Sequence, residues 1–188
     1  MAKIERRDTD ELFASARAGG RDGFAALVRM HQARVFGIAL RMLMDRALAE
    51  DLAQEVFLQL HHSIGSIESH THLVFWLRQV TARRAIDRVR LERRGKTVAL
   101  EEGLEAVAVE SEADPWLQRR LVALVGKLPA TARAVMLLRY QEDLDPLDIA
   151  RTLGIPVNTV KSHLKRSLVV LRGQLSGLAP IDGAGDTA

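Results

Sequence analysis

The chain of 188 residues contains no cysteine, which excludes a disulfide framework and any thiolate metal site and fits a reducing, intracellular compartment. Aromatic residues make up only 4%, with a single tyrosine. Alternating β-branched runs are missing as well, so strands have little to be built from. No apolar run approaches the ~20 residues that span a bilayer. The opening MAKIERRDTDE holds no hydrophobic segment of the kind a secretory signal needs. A soluble, cytoplasmic protein without a membrane span is expected. A strong charge excess is also lacking: the formal net charge is +3, too mild to argue for nucleic acid by itself, so the distribution of charge has to carry that question.

What the chain does have is 47% apolar residues, enough to build cores, and long segments rich in Ala, Leu, Arg and Glu. These predict an all-α protein. Apolar spacing places helices at about Thr9 to Ala18, Arg21 to Met44, Ala47 to His62 and Thr71 to Arg94. Further helices are expected over Trp116 to Val125 and from Pro129 through Tyr140. Charge reverses sharply between the two sets. Arg78 to Lys96 is strongly basic, whereas Ala99 to Asp114 carries Glu101, Glu102, Glu105, Glu110, Glu112 and Asp114 with no base. Two small helical domains joined by an acidic linker follow: residues 1–96, a linker over 97–114, and residues 115–178, with 179–188 composed like a disordered tail.

The stretch from Pro146 to Leu171 reads as a helix-turn-helix. Asp145 suits an N-cap, Pro146 the first helical position, Asp148 the first turn, and Gly154 a turn needing positive φ. In the second helix Val157, Val160, Leu164, Leu168 and Leu171 follow at helical spacing. That leaves Asn158, Thr159, Lys161, Ser162, His163, Lys165 and Arg166 outward, a polar and basic face suited to a DNA major groove. Such hairpins also pack in helical proteins without touching DNA; the composition of the outer face is what favours DNA.

Three other constellations stand out. Glu50, Asp51, Gln54 and Glu55 share one side of a helix opposite Leu52, Val56 and Leu60, giving either a docking surface for a basic protein partner or an ordinary solvated face. From Thr71 to Arg94, an apolar first half is followed by ARRAIDRVRLERR, in which Arg83, Arg90 and Arg94 share a face. This is a cationic rail suited to phosphates or a separated single strand, if it is not simply solvated. Between these helices, HHSIGSIESHTH holds His61, His62, His70 and His72. A metal site there is weighed and set aside for want of an i,i+4 histidine pair or any cysteine, and an adaptable polar loop is expected instead. No nucleophile with a base, no phosphate-cradling glycine loop and no paired carboxylates in an apolar setting suggest an enzyme or a cofactor.

Taken in order, these segments resemble the group 4, or extracytoplasmic-function, sigma factors of bacterial RNA polymerase. The resemblance rests on DRALAEDLAQEVF (Asp45 to Phe57), WLRQVTARRAIDRVR (Trp76 to Arg90), and Leu128-Pro129 with LRYQE and TVKSHL. It implies that Asp45, Glu50, Asp51, Gln54 and Glu55 dock on the clamp of the largest polymerase subunit. It also implies a contact with the flap of the second-largest subunit. Ser66, Ser69, His70, Arg78, Arg83, Arg84, Arg88 and Arg90 would hold and read the melted strand of the -10 element. The outer face of the recognition helix would read the -35 element as duplex, the acidic linker would thread toward the active-site channel, and an anti-sigma partner would hold the protein inactive. The chain departs from the family pattern at Arg83, at His163 and at Ile67-Glu68, which leaves the promoter sequence open. The alternatives from other classes are a free-standing helix-turn-helix regulator and a metal-dependent nuclease using the histidine loop.

Overall fold

The computed structural model describes residues 2–95 and 115–176. Among them are eight α-helices, one short 3-10 turn and no strand: α1 (Ala2–Arg17), α2 (Arg21–Leu43), α3 (Arg46–Ser63), the 3-10 turn Ile64–Ser66, α4 (His70–Gly95), α5 (Pro115–Lys127), α6 (Ala130–Tyr140), α7 (Pro146–Leu153) and α8 (Val157–Ser176). The all-α expectation holds, and the first helix begins earlier than its apolar spacing suggested. The acidic linker, the tail at 179–188 and the side chain of Arg94 lie outside the described residues.

Local chemistry explains the boundaries. Met44 ends α2 in the left-handed region at φ 60°, its N–H donating to Leu40 O at 2.7 Å. Asp45 then turns the chain and caps α3, accepting from Leu48 N at 2.9 Å. Ser69 does the same for α4, its Oγ accepting from His72 N at 3.1 Å. Asp145 caps α7 by accepting from both Leu147 N and Asp148 N at 2.8 Å. Gly154, at φ 69°, closes α7 as the turn required.

One core lies at the upper end of the first four helices, where Phe13, Leu27, Val35, Val56, Leu60, Ile64, Ile67, Leu73 and Leu77 meet. The second core crosses between the two helical sets. Ile38, Met42, Leu52, Ala82, Ile86 and Val89 pack with Leu138, Ile149, Leu153 and Val160 without a break. The second half of α4 presents Ala82, Ile86 and Val89 along one stripe, and α6 and α7 cover it. Burying each such aliphatic side chain is worth about 1.5–3 kcal/mol, so the two sets are held together mainly by apolar area. Arg133 adds a polar staple. It is 5% exposed, donates to Met42 O in the first set and to Gly126 O in its own, and burial, reinforced by Arg93, lowers its pKa to about 10.

Candidate nucleic-acid and partner interfaces

Helix α3 places Glu50, Asp51 and Gln54 on solvent, with Leu58 beside them 63% exposed. Asp45 is occupied as the cap of this helix, and Glu50 pairs with Arg46 at 2.9 Å. Glu55 sits at the edge of this face and is only half exposed. Its carboxylate accepts from Arg84 Nη1 at 2.9 Å and from Arg88 Nη2. The residues expected to serve two different partners are thus joined: Arg84 also reaches Gln59 at 3.0 Å, and Arg88 reaches Leu48 O at 3.3 Å.

The arginine rail is not bare either. Arg83 Nε donates to Thr152 O of α7 at 3.2 Å, and Arg90 Nη2 to Thr131 Oγ1 of α6 at 3.0 Å. Arg93 reaches Leu128 O at 2.9 Å. Arg78 donates to Glu142 at 2.8 Å, and Arg34 of α2 lies 3.3 Å from the same carboxylate oxygen. Few acids stand on α4 itself, which made the rail look unpartnered in sequence. Its partners are carbonyls, a hydroxyl and a glutamate contributed by the second helical set, and apart from Asp87, 3.7 Å from Arg90 on α4 itself, nothing local announces them.

The loop entering α4 has an apolar underside and a polar outside. Ile64 and Ile67 are buried, whereas Gly65, Ser66, Glu68 and Ser69 face solvent. Ile67 is 1% exposed, so the position where the family pattern carries an aromatic serves here as a core plug and has no face to offer a base. Ser66 Oγ donates to Ser63 O at 2.7 Å, Arg17 reaches over to Gly65 O at 3.3 Å, and Glu68 N donates to His72 Nδ1 at 3.3 Å. His70 turns inward, its Nε2 lying 3.0 Å from Nε2 of His31. His31 is 4% exposed and had no obvious signal in sequence beyond its place in an apolar series, four residues after Leu27 and four before Val35. Among the described residues no three histidine or acidic side chains come together as a metal site.

On α8, Asn158, Lys161, Lys165 and Arg166 are exposed, and Thr159, Ser162 and His163 are half-buried between them. Among the described residues no carboxylate pairs with Lys161, Lys165 or Arg166, so these cations are free for phosphates or base edges. The His163 pKa is lowered, first by burial and then by Arg166. At neutral pH it therefore offers a hydrogen-bonding imidazole rather than a charge.

A cleft of about 510 Å³ opens between the two sets, lined by Leu40, Arg41 and Met44 of α2, Leu121 and Val125 of α5, Met136 of α6 and Leu171 of α8. None of the described helices is long and apolar enough to cross a membrane.

Residues 27–95 match the family described as Sigma-70 region 2, and residues 118–171 match Sigma-70, region 4. The ECF RNA polymerase sigma factor SigW of Bacillus subtilis is 30% identical, over 85% of this chain and 92% of that protein. Among solved structures, CnrH in complex with the cytosolic domain of CnrY superposes with a TM-score of 0.65 at 20% identity, over 91% of this chain and 99% of that one. The sigma factor RpoE in complex with the anti-sigma factor NepR, from Bartonella quintana, gives 0.66 at 18% identity, over 85% and 98%. These two likenesses carry the fold.

Proposed function

Since the chain belongs to the extracytoplasmic-function sigma factors of the sigma-70 family, we propose that it binds core RNA polymerase, directs it to promoters with matching -10 and -35 elements, and helps open them. Residues 1–96 act as the region 2 domain, residues 115–178 as the region 4 domain, and residues 97–114 as the acidic connection. Polymerase docking falls to the exposed Glu50, Asp51 and Gln54, with Glu55 at the rim, while Asp45 fixes the start of their helix. The -35 duplex is read by Asn158, Lys161, Lys165 and Arg166, with Thr159, Ser162 and His163 between them. The -10 strand is taken by Ser66 and Ser69 at the loop, and by Arg78, Arg83, Arg84, Arg88 and Arg90 along α4.

The observation that carries this reading is the helix-turn-helix itself. It has an Asp145-capped helix, a left-handed Gly154 turn, and a following helix whose outward cations Lys161, Lys165 and Arg166 have no acidic partner among the described residues. Catalysis belongs to the polymerase, and the site of action is the cytoplasm, where polymerase and promoter are. Arg78, Arg83 and Arg90 are turned toward α6, α7 and the turn between them, so loading of the -10 strand along this face is expected to require the two helical sets to part. An anti-sigma factor, the partner named for the RpoE structure, would act by keeping them together.

Run-off transcription with purified core polymerase tests the proposal. Transcripts from defined start sites appear only when the protein is added. Tight duplex binding by the protein alone, with no effect on the polymerase, would instead favour a free-standing regulator.

A further inference from the structure

Of the loop's polar side chains, His70 is the one turned toward the interior, and its partner is a histidine buried in the apolar series of α2. A leucine at position 31 would fill that space without needing a partner, since a buried polar group is costly unless it is hydrogen-bonded. What the imidazole adds is direction. The two ring centroids are 5.1 Å apart and the ring planes inclined by 30°. That separation is nearly the 3.0 Å contact plus the two ring radii, so the nitrogens face each other along the line of centres. Their lone-pair directions point at one another instead of converging on a common point, which fits one N–H···N hydrogen bond and not a shared metal ion.

We propose that His31 is a positioning residue for promoter melting: its hydrogen bond to His70 fixes the Ile64–Ser69 loop and the first turn of α4 against α2, and thereby sets the surface on which the separated -10 strand lies. This inference rests on the assignment of that loop to the -10 element. The loop's other ties are light. They are the exposed Arg17 to Gly65 bond, the Ser66 to Ser63 and Ile67 to Ile64 bonds within the turn, the Glu68 to His72 and His72 to Ser69 bonds that join the loop to its own helix, and the apolar plugs Ile64 and Ile67; none of these bonds reaches α2. His70 stands where the loop becomes helix, so a fixed imidazole there orients both Ser69 on one side and the start of α4 on the other.

The pair is also sensitive to protons. When both rings are neutral, one donates and the other accepts; when both are protonated, the acceptor is gone and two N–H groups confront each other. The surroundings hold the pair neutral. Burial, then His70, then Arg34 on α2 lower the His31 pKa to about 4, and burial lowers that of His70 against the opposing pull of Asp10 on α1. Arg78 of α4 and Asp148 of α7 line the cleft that His70 and Asp10 share, and Glu142 takes up Arg78 and Arg34.

The test uses holoenzyme assembled from core polymerase and the full chain, on a promoter selected by the wild-type holoenzyme from a randomised library. Permanganate reactivity of unpaired thymines reports melting. His31→Leu is expected to lower melting about tenfold, the effect of losing one buried hydrogen bond, with polymerase affinity unchanged. His31→Gln, whose amide can reach His70, is expected to restore most of it. Should His31→Leu fold poorly, His70→Leu must show the same melting defect, and the double variant must be no worse than the single one. Wild-type melting by a folded His31→Leu protein, or a His31→Gln protein as impaired as His31→Leu, would each overturn the proposal. Failure of the wild-type holoenzyme to select any promoter would overturn the underlying assignment and this inference with it.

Discussion

Glu142 accepts a hydrogen bond from Arg78 at 2.8 Å with only 10% of its side chain exposed, so the turn between α6 and α7 grips the arginine helix of the other half. Arg34 approaches the same oxygen at 3.3 Å. Removing the glutamate leaves Arg78, itself 19% exposed, largely desolvated without a counter-charge. Leaving a partly buried ion pair's partner alone costs the closed arrangement about 1–3 kcal/mol, a 5- to 150-fold change in the closed-to-open ratio. Glu142→Ala should therefore open the two helical sets. The cysteine-free sequence allows a single pair of introduced thiols on α3 and α8 to carry dyes whose energy transfer reports the change. Unchanged transfer would mean that the apolar core alone sets the arrangement.

The acidic face of α3 separates into residues that are free and one that is not. Asp51 and Gln54 are exposed, whereas Glu55 holds Arg84 and Arg88. Asp51→Lys is expected to abolish core polymerase binding with a change in stability within about 0.5 kcal/mol, as for a surface site. Glu55→Lys should abolish binding and also destabilise the fold by about 1–3 kcal/mol, because two arginines lose their acceptor and gain a like charge. Pull-down on core polymerase together with urea unfolding distinguishes the two variants.

Stability should follow pH through His31. Its pKa is lowered to about 4 in the fold against 6.5 for a free imidazole, so the unfolded chain binds the proton more readily. The contribution is fully present above pH 6.5 and is lost as pH falls toward 4. At roughly 1.4 kcal/mol per unit, it amounts to at most about 3.5 kcal/mol. His70, lowered as well, acts in the same direction. Urea unfolding of the wild type and of His31→Leu across this range checks the sign: the variant's curve should be flatter.

The helix-turn-helix, the cap at Asp145 and the exposed acids of α3 were legible in sequence because each depends on residues within one or two helical turns, whereas Asp45, expected only to dock a partner, turns out to cap α3. The partners of Arg78, Arg83 and Arg90 were not, since Glu142, Thr152 and Thr131 reach them only when the second helical set closes on the first. His31 was hidden for a related reason. Reading histidines by their spacing drew attention to the cluster from His61 to His72, while the one that is buried lies 39 residues before its partner. Ile67 was legible only as a departure from the family pattern; that the apolar underside of the loop claims its side chain is a tertiary fact.

Lys161 stands exposed on α8 without an acidic partner among the described residues. Its replacement by Ala should weaken -35 duplex binding by about 1 kcal/mol. If it contacts phosphate, the slope of log affinity against log salt should fall by about 0.9. If it contacts a base edge, discrimination at one position should relax by about 1–3 kcal/mol with a smaller change of slope. Binding isotherms over a salt series, on matched and mismatched -35 duplexes, separate the two roles, and polymerase affinity should stay as it was.

Gly154 links the DNA-reading turn to the arginine helix. Its φ of 69° disfavours any side chain, and a Cβ placed there would lie 2.8 Å from Arg83 Nη2. Backbone strain for alanine in the left-handed region is about 1–2 kcal/mol, while Arg83, a flexible side chain, can swing aside. Gly154→Ala should therefore do two things at once: lower the midpoint of urea unfolding and release Arg83 from Thr152. Arg83→Ala removes only the second effect's cause, so its stability loss should be the smaller of the two. In the double variant the clash has no partner, and the cost of Gly154→Ala should shrink to the backbone strain alone. If the two changes are instead strictly additive, Arg83 does not rest against the turn in solution, and α4 and α7 are held there by their apolar contacts alone.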